Sequence, residues 1–190
     1  MPVTATNTET AVPGYEAATW TIDPVHSEVG FSVRHMMVSK VRGRFTTFSG
    51  QLVTGGDPAQ SSVTAEIDLG SINTGNEQRD GHIQSADFFE VETYPTMTYK
   101  STGIRAEGGD YIVDGDLTLK GVTKSVPLRL ELNGFGPDPY GGTRAGFSAS
   151  GEINRNDYGI TANMALPTGG VVVSEKIQLT IEVEAALKTG

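Results

Sequence analysis

The sequence predicts an all-β fold: an antiparallel meander of about eight short strands closing into a barrel, with one or two short helices. Three observations carry this. Apolar and polar residues alternate with a period of two in most of the chain. Turn signals such as Gly108-Gly109, Gly141-Gly142 and Pro137-Asp138-Pro139 punctuate the alternation at short intervals. The 24 glycines follow no collagen-like period among 190 residues, and strands of this number can close around one small ligand.

The elements follow in order. Residues 1–18 are Thr- and Ala-rich, aperiodic and free of Lys and Arg, and read as a disordered leader ahead of one domain over 19–190. From Trp20 alternation begins. Val29, Phe31, Val33 and His35 share one face of a strand, and Glu28, Ser32 and Arg34 share the other. Residues 43–53 and 62–70 repeat the theme, with Val63, Ala65, Ile67 and Leu69 on one face. Strands are further predicted over 96–105, 111–120, 124–133, 144–154 and 172–187, and Leu128, Leu130 and Leu132 alternate with Arg129, Glu131 and Asn133. One segment departs from the pattern. Thr74-Gly75-Asn76-Glu77 matches an S/T-x-x-E capping box and predicts a short helix near 75–85. A second helical turn is expected over 156–160.

Composition excludes several classes of function. With 14 Lys and Arg against 23 Asp and Glu, the net charge of −9 disfavours nucleic acid and anionic membrane surfaces as partners. The absence of cysteine removes disulfides, thiolate metal sites and cysteine nucleophiles. No run approaches the roughly 18 apolar residues of a membrane span. Met1 to Thr19 has neither the basic nor the apolar part of a secretory signal, which makes a cytoplasmic location the expectation. No phosphate-binding glycine loop is present, and the residues around Ser148 do not form a nucleophile elbow.

The chemistry-bearing residues are few. The three histidines are His26, His35 and His82. His35 shares the parity of Phe31 and Val33 and points to the interior. His26 has the other parity, with Pro24 close enough to make a bulge or strand switch. His82 lies one helical turn beyond Arg79, so both address one place. A three-histidine zinc site is chemically conceivable, but the spacing shows neither HExxH nor a carboxylate pair, so no metal is expected. No acidic residue occurs between Phe31 and Gly56, whereas Arg34, Lys40, Arg42 and Arg44 all fall there. A solvated hairpin tip explains such a run; so does an anion-binding rim beside an apolar cavity. Bulky apolar residues, among them Phe48, suit a filled core or a pocket wall, and periodicity alone does not separate the two.

Ordered motifs extend over most of the chain. Trp20-x-Ile22-Asp23-x-x-His26-Ser27-x-Val29-x-Phe31-x-Val33-x-His35 opens the series, and Asn76-x-x-Arg79-Asp80-x-His82-Ile83, Asp87-Phe88-Phe89 and Tyr94-Pro95 form a central block. Gly115-x-Leu117-Thr118-x-x-Gly121-Val122-Thr123-Lys124 and Asn154-Arg155-x-Asp157-x-Gly159 follow. In these blocks, over 19–187, the chain resembles the YceI-like, polyisoprenoid-binding proteins. The resemblance implies a lipocalin-like antiparallel barrel, usually a homodimer, that holds a long isoprenoid or similar lipid without catalysis or cofactor. Family members are often periplasmic, and the polar leader departs from that habit. It further implies a head-group site of His35, Arg79 and His82, with His26, Arg34 and Asn76 behind them, and Asp80 either orienting Arg79 or His82 or simply pairing structurally. The apolar lining expected is Phe31, Val33, Phe45, Phe88, Phe89, Met97, Tyr99, Leu117, Phe147 and Met164. Two rival readings stand beside it: a metal-assisted or acid–base enzyme acting on a lipid through His26, His35, His82 and Asp80, and an interaction protein whose dimer surface matters more than its cavity.

Overall fold

The computed structural model describes residues 12–163 and 172–189. The described residues form twelve strands: β1 (Ala18–Ile22), β2 (Glu28–His35), β3 (Ser39–Phe45), β4 (Phe48–Thr54), β5 (Ser62–Asp68), β6 (Ile72–Asn73), β7 (Thr96–Glu107), β8 (Asp110–Leu119), β9 (Val122–Ser125), β10 (Leu128–Pro137), β11 (Thr143–Asn154) and β12 (Val173–Leu187). They reduce to eight ribbons, because β1/β2, β3/β4, β5/β6 and β9/β10 are each one ribbon broken in two. Every ribbon pairs antiparallel with its neighbours in sequence, and β1 returns to pair with β12 through Trp20 opposite Leu187 and Ile22 opposite Ala185. The sheet is therefore a closed up-and-down barrel of eight ribbons, with no free edge to cap.

The breaks have local causes. Pro24 has no amide hydrogen to give a ladder, so β1 stops at Ile22 and β2 resumes at Glu28. The interruption changes the parity of the inward face from Ile22 to Val29. Val126 and Pro127 interrupt the ribbon of β9 and β10 in the same way.

The predicted helix is α1, Glu77–Gln84, and its cap differs from the one the sequence suggested. Asn76, not Thr74, accepts the Arg79 amide at 2.9 Å. Thr74 is diverted: its hydroxyl donates to Asp80 Oδ1. The expected second turn is a 3-10 turn over Arg155–Tyr158, one residue earlier than predicted at its start. Residues 1–11 of the expected leader lie outside the described residues. From Tyr15 the chain is held, its hydroxyl donating to the Gly55 carbonyl at 2.7 Å and its ring standing edge-on to Phe135.

Alternation sets what the ribbons bury. Toward the end formed by the β4–β5, β7–β8 and β10–β11 turns, Trp20 is fully buried among Ala145, Phe147, Ala185 and Phe135. Its indole N–H donates to Thr54 Oγ1 at 2.9 Å, so the largest side chain of the core leaves no polar atom unpaired. We call this the lower end. The β2–β3 hairpin, α1, the β8–β9 turn and residues 155–163 gather at the upper end. Two glycines make room for aromatic rings facing the interior. A Cβ on Gly115 would lie 2.4 Å from the Tyr99 ring, and one on Gly43 would lie 2.4 Å from the Phe31 ring. Among the described residues no helix is long and apolar enough to cross a membrane.

Candidate functional site

Between the two ends the barrel encloses a cavity of about 630 Å³, within the usual range of small-molecule sites. It has room for on the order of twenty water-sized groups. The side chains of the described residues thus do not fill the interior. Nine of the ten apolar residues expected on its wall are there: Phe31, Val33, Phe45, Phe88, Phe89, Met97, Tyr99, Leu117 and Phe147. Met164 lies outside the described residues. Tyr99 illustrates how a polar tip is accommodated in such a wall: its hydroxyl donates to the Val126 carbonyl at 2.8 Å, and burial pushes its phenol well above the ordinary value.

Charge on the wall is segregated. Arg34, Arg79, Asp87 and Arg155 are its charged residues, accompanied by His35 and His82, and all stand at the upper end. Arg34 and His35 are the last residues of β2; ending the strand there lets two successive side chains reach the mouth although they have opposite parity. Helix α1 supplies Arg79 and His82 from one face.

Arg79 is pre-set by its neighbours. Its Nε donates to Thr74 Oγ1 and its Nη2 to the Thr74 carbonyl, both at 2.8 Å. Thr74 passes its own hydroxyl proton toward Asp80 Oδ1, which also accepts the Thr74 amide at 3.0 Å. Asp80 therefore orients Arg79 through Thr74 and does not neutralise it directly. Among the described residues the Arg79 guanidinium forms no ion pair, so the rest of its donor fork is available to an anion. His82 Nε2 lies 2.9 Å from Asp87 Oδ2, and its ring meets Phe88 edge-on.

Two expected head-group residues stand elsewhere. His26 is in the exposed segment between β1 and β2, bonded through Nδ1 to Asp23 Oδ2 at 2.8 Å. The chain break at Pro24 turns it outward, and it is absent from the cavity wall. Asn76 spends its side-chain oxygen on the helix cap and does not reach the wall either. The three histidines consequently do not converge, and the constellation required by a His26–His35–His82–Asp80 enzyme is not assembled. Asp23, His26 and Glu184 place donor atoms within 4.8 Å of one another, but Arg144 occupies the same Asp23 oxygen at 2.8 Å.

One residue on the wall escaped sequence reasoning. Arg155 is 4% exposed, and its guanidinium donates to four carbonyls, those of Ile160 (2.7 Å), Ser174 (3.0 Å), Ala162 (3.1 Å) and Val173 (3.2 Å). It makes no ion pair among the described residues, and burial holds its pKa below the ordinary arginine value. The signal available was the motif Asn154-Arg155-x-Asp157-x-Gly159, in which an arginine follows a strand of alternating pattern and precedes a turn glycine.

Comparison with known proteins agrees with this architecture. The model of the YceI-like domain family matches residues 20–185. The UPF0312 protein plu2095 of Photorhabdus laumondii is 42% identical over 140 residues, 73% of each chain. Among solved structures, BcnA of Burkholderia cenocepacia superposes with a TM-score of 0.75 at 25% identity, covering 86% of this chain and 98% of that one. A polyisoprenoid-binding domain from Saccharophagus degradans shares the fold, with a TM-score of 0.66 at 20% identity, covering 91% of this chain and all of that one. A closed eight-ribbon barrel with these motif blocks, matched by the family model from its first strand to its last, belongs to the YceI-like family.

Proposed function

We propose that the barrel binds, stores or carries a long-chain amphiphile, a polyisoprenoid or isoprenoid (di)phosphate, without transforming it. The observation that carries this reading is the cavity of about 630 Å³, mostly apolar along its length and, among the described residues, charged only at its upper end. The chemistry of such a site divides into two parts. Each buried methylene contributes about 0.8 kcal/mol, so ten carbons of a tail supply roughly 8 kcal/mol before ordering costs. A charge-assisted hydrogen bond at the mouth adds about 1.5–3 kcal/mol. The tail sets affinity, and the head sets direction and selects among lipids.

Arg79 and Arg34 are the head-group donors in this reading, with His35 beside them. His82 is the weaker partner for an anion, because Asp87 already holds one of its ring nitrogens. The shared fold of the Saccharophagus degradans polyisoprenoid-binding domain supports a lipid of this class. Native mass spectrometry of the protein purified under mild conditions, followed by organic extraction, tests the reading. A bound long-chain amphiphile is the expected result. Protein that elutes empty and fails to take up a polyprenyl diphosphate or alcohol overturns it.

A further inference from the structure

The cations of this chain are distributed unequally between the two ends. Toward the lower end, Arg105 pairs with Glu107 and Asp114, Arg129 with Asp110 and Glu107, and Arg144 with Asp23 and Asp138. On the β2–β3 hairpin the opposite holds: Arg34, Lys40, Arg42 and Arg44 are all exposed and make no ion pair among the described residues. Arg34 even stands directly opposite Lys40 in the strand register, and Ser32 opposite Arg42. Like charges placed so are repulsive, and among the described residues no carboxylate pairs with them. Arg34, Lys40 and Arg42 line an outer groove beside the mouth together with Lys176, which Glu152 pairs at 3.7 Å; the acidic member of the groove is Glu28 at the far end of β2.

The tip of the same hairpin is apolar. Met36, Met37 and Val38 are 46%, 53% and 80% exposed. Met36 and Met37 both adopt left-handed backbone, φ 52° and 62°, a conformation that glycine or asparagine takes at far lower cost. The Val38 amide closes the turn on the His35 carbonyl at 3.2 Å. A strained turn thus holds two flexible thioethers and a valine out in water, at the residues that directly follow the cavity-lining His35.

An apolar tip flanked by unpaired cations matches the boundary between lipid tails and anionic head groups. We propose that the β2–β3 hairpin docks the upper end of the barrel onto an anionic lipid surface, so that the cavity mouth opens against the bilayer. The net charge of −9 does not prevent this, because surface fields decay over about 8 Å at physiological salt and the local patch is what the membrane meets. This interaction goes beyond lipid binding in the cavity and is separable from it.

Vesicle flotation of the full chain tests the proposal, using phosphatidylcholine vesicles with and without about 30% phosphatidylglycerol and no isoprenoid. The wild type is expected to float with the anionic vesicles, to stay behind with the neutral ones, and to be released by high salt. Met36→Asn/Met37→Gly removes the apolar tip while installing a favoured turn, so it folds at least as well; its flotation is expected to fall about tenfold or more. Lys40→Glu/Arg42→Glu is expected to abolish the preference for anionic lipid. Wild-type protein that remains unbound at low salt overturns the proposal, as does an Asn-Gly variant that floats equally well. Retention on a polyglutamate resin without flotation also overturns it, assigning the face to an acidic protein instead. Cavity binding of a polyprenyl ligand in detergent is a separate readout, so failure here and failure of the carrier reading are distinguishable.

Discussion

Asp23 holds Arg144 at 2.8 Å across 121 residues of sequence, clasping the end of β1 to the start of β11 on the outside of the barrel. The same carboxylate oxygen binds His26 Nδ1 at 2.8 Å, and Asp138 takes the Arg144 Nε at 3.2 Å. The His26 hydrogen bond, aided by Arg144, lowers the Asp23 pKa from 3.8 to about 2 against the opposing effect of burial, and Asp23 in turn raises that of His26 above 6.5.

The clasp gives stability a defined pH dependence. Asp23 is depressed in the folded state, so its contribution is complete above about 4 and is lost as the pH falls through about 2. His26 is elevated, so its contribution is complete below 6.5 and is lost as the pH rises through its folded value. The difference in unfolding midpoint between wild type and Asp23→Asn is expected to peak between about pH 4 and 6.5 and to shrink on both sides. Thermal melts of both proteins from acid to mildly alkaline pH check this; a difference independent of pH contradicts it.

The Thr74 relay makes a prediction about selectivity. Arg79→Ala is expected to weaken a polyprenyl diphosphate by about ten- to a hundredfold, the value of one charge-assisted hydrogen bond, and to leave the corresponding alcohol nearly unchanged. Asp80→Asn is expected to act in the same direction and less strongly, since it loosens Thr74 without removing the guanidinium. Titrations of both ligands against both variants decide it. Equal losses for diphosphate and alcohol remove Arg79 from the head-group role.

Much of this fold was legible because a half-buried strand writes its burial into every second residue. Phe31, Val33 and His35 are on the inside as their parity required, and Leu128 and Leu130 line the cavity as their alternation implied. What alternation does not encode is where a ribbon breaks. The Pro24 interruption sends His26 outward onto Asp23 and Glu184, and Asp23 also holds Arg144, so the cluster joins residues far apart in sequence. Whether the core is hollow was also hidden, since Phe45 or Phe147 looks the same in sequence whether it fills a space or borders one. Arg155 was invisible for a related reason: its partners are backbone carbonyls, and these carry no residue identity.

Arg155 is expected to be a structural anchor. Removing its guanidinium takes the donor from the carbonyls of Ile160, Ala162 and Ser174 at the upper end, while that of Val173 keeps the Asn163 amide at 2.6 Å, and each buried group so abandoned costs about 1–3 kcal/mol. Arg155→Met keeps the volume and loses the donors, and is expected to destabilise the barrel by about 3 kcal/mol or more. Arg155→Lys recovers only part of this, because three donors on one nitrogen cannot span carbonyls set around a planar fork. Urea denaturation of the two variants tests the ordering; a Met variant as stable as the wild type shows that the carbonyls find other donors.

Ala149 tests the cavity itself. It sits midway along β11 on the wall, flanked in register by Leu130 and Ile181, where a larger side chain enters empty space and meets few packed atoms. Ala149→Phe is expected to change unfolding free energy by less than about 1.5 kcal/mol, because no filled region is overpacked. Uptake of a long polyprenyl ligand is expected to drop at least tenfold, while a shorter chain that stops before residue 149 is affected less. Each methylene denied its place in the bore forfeits about 0.8 kcal/mol, so the loss should grow with chain length. A loss that is the same for short and long chains places the lipid outside the bore.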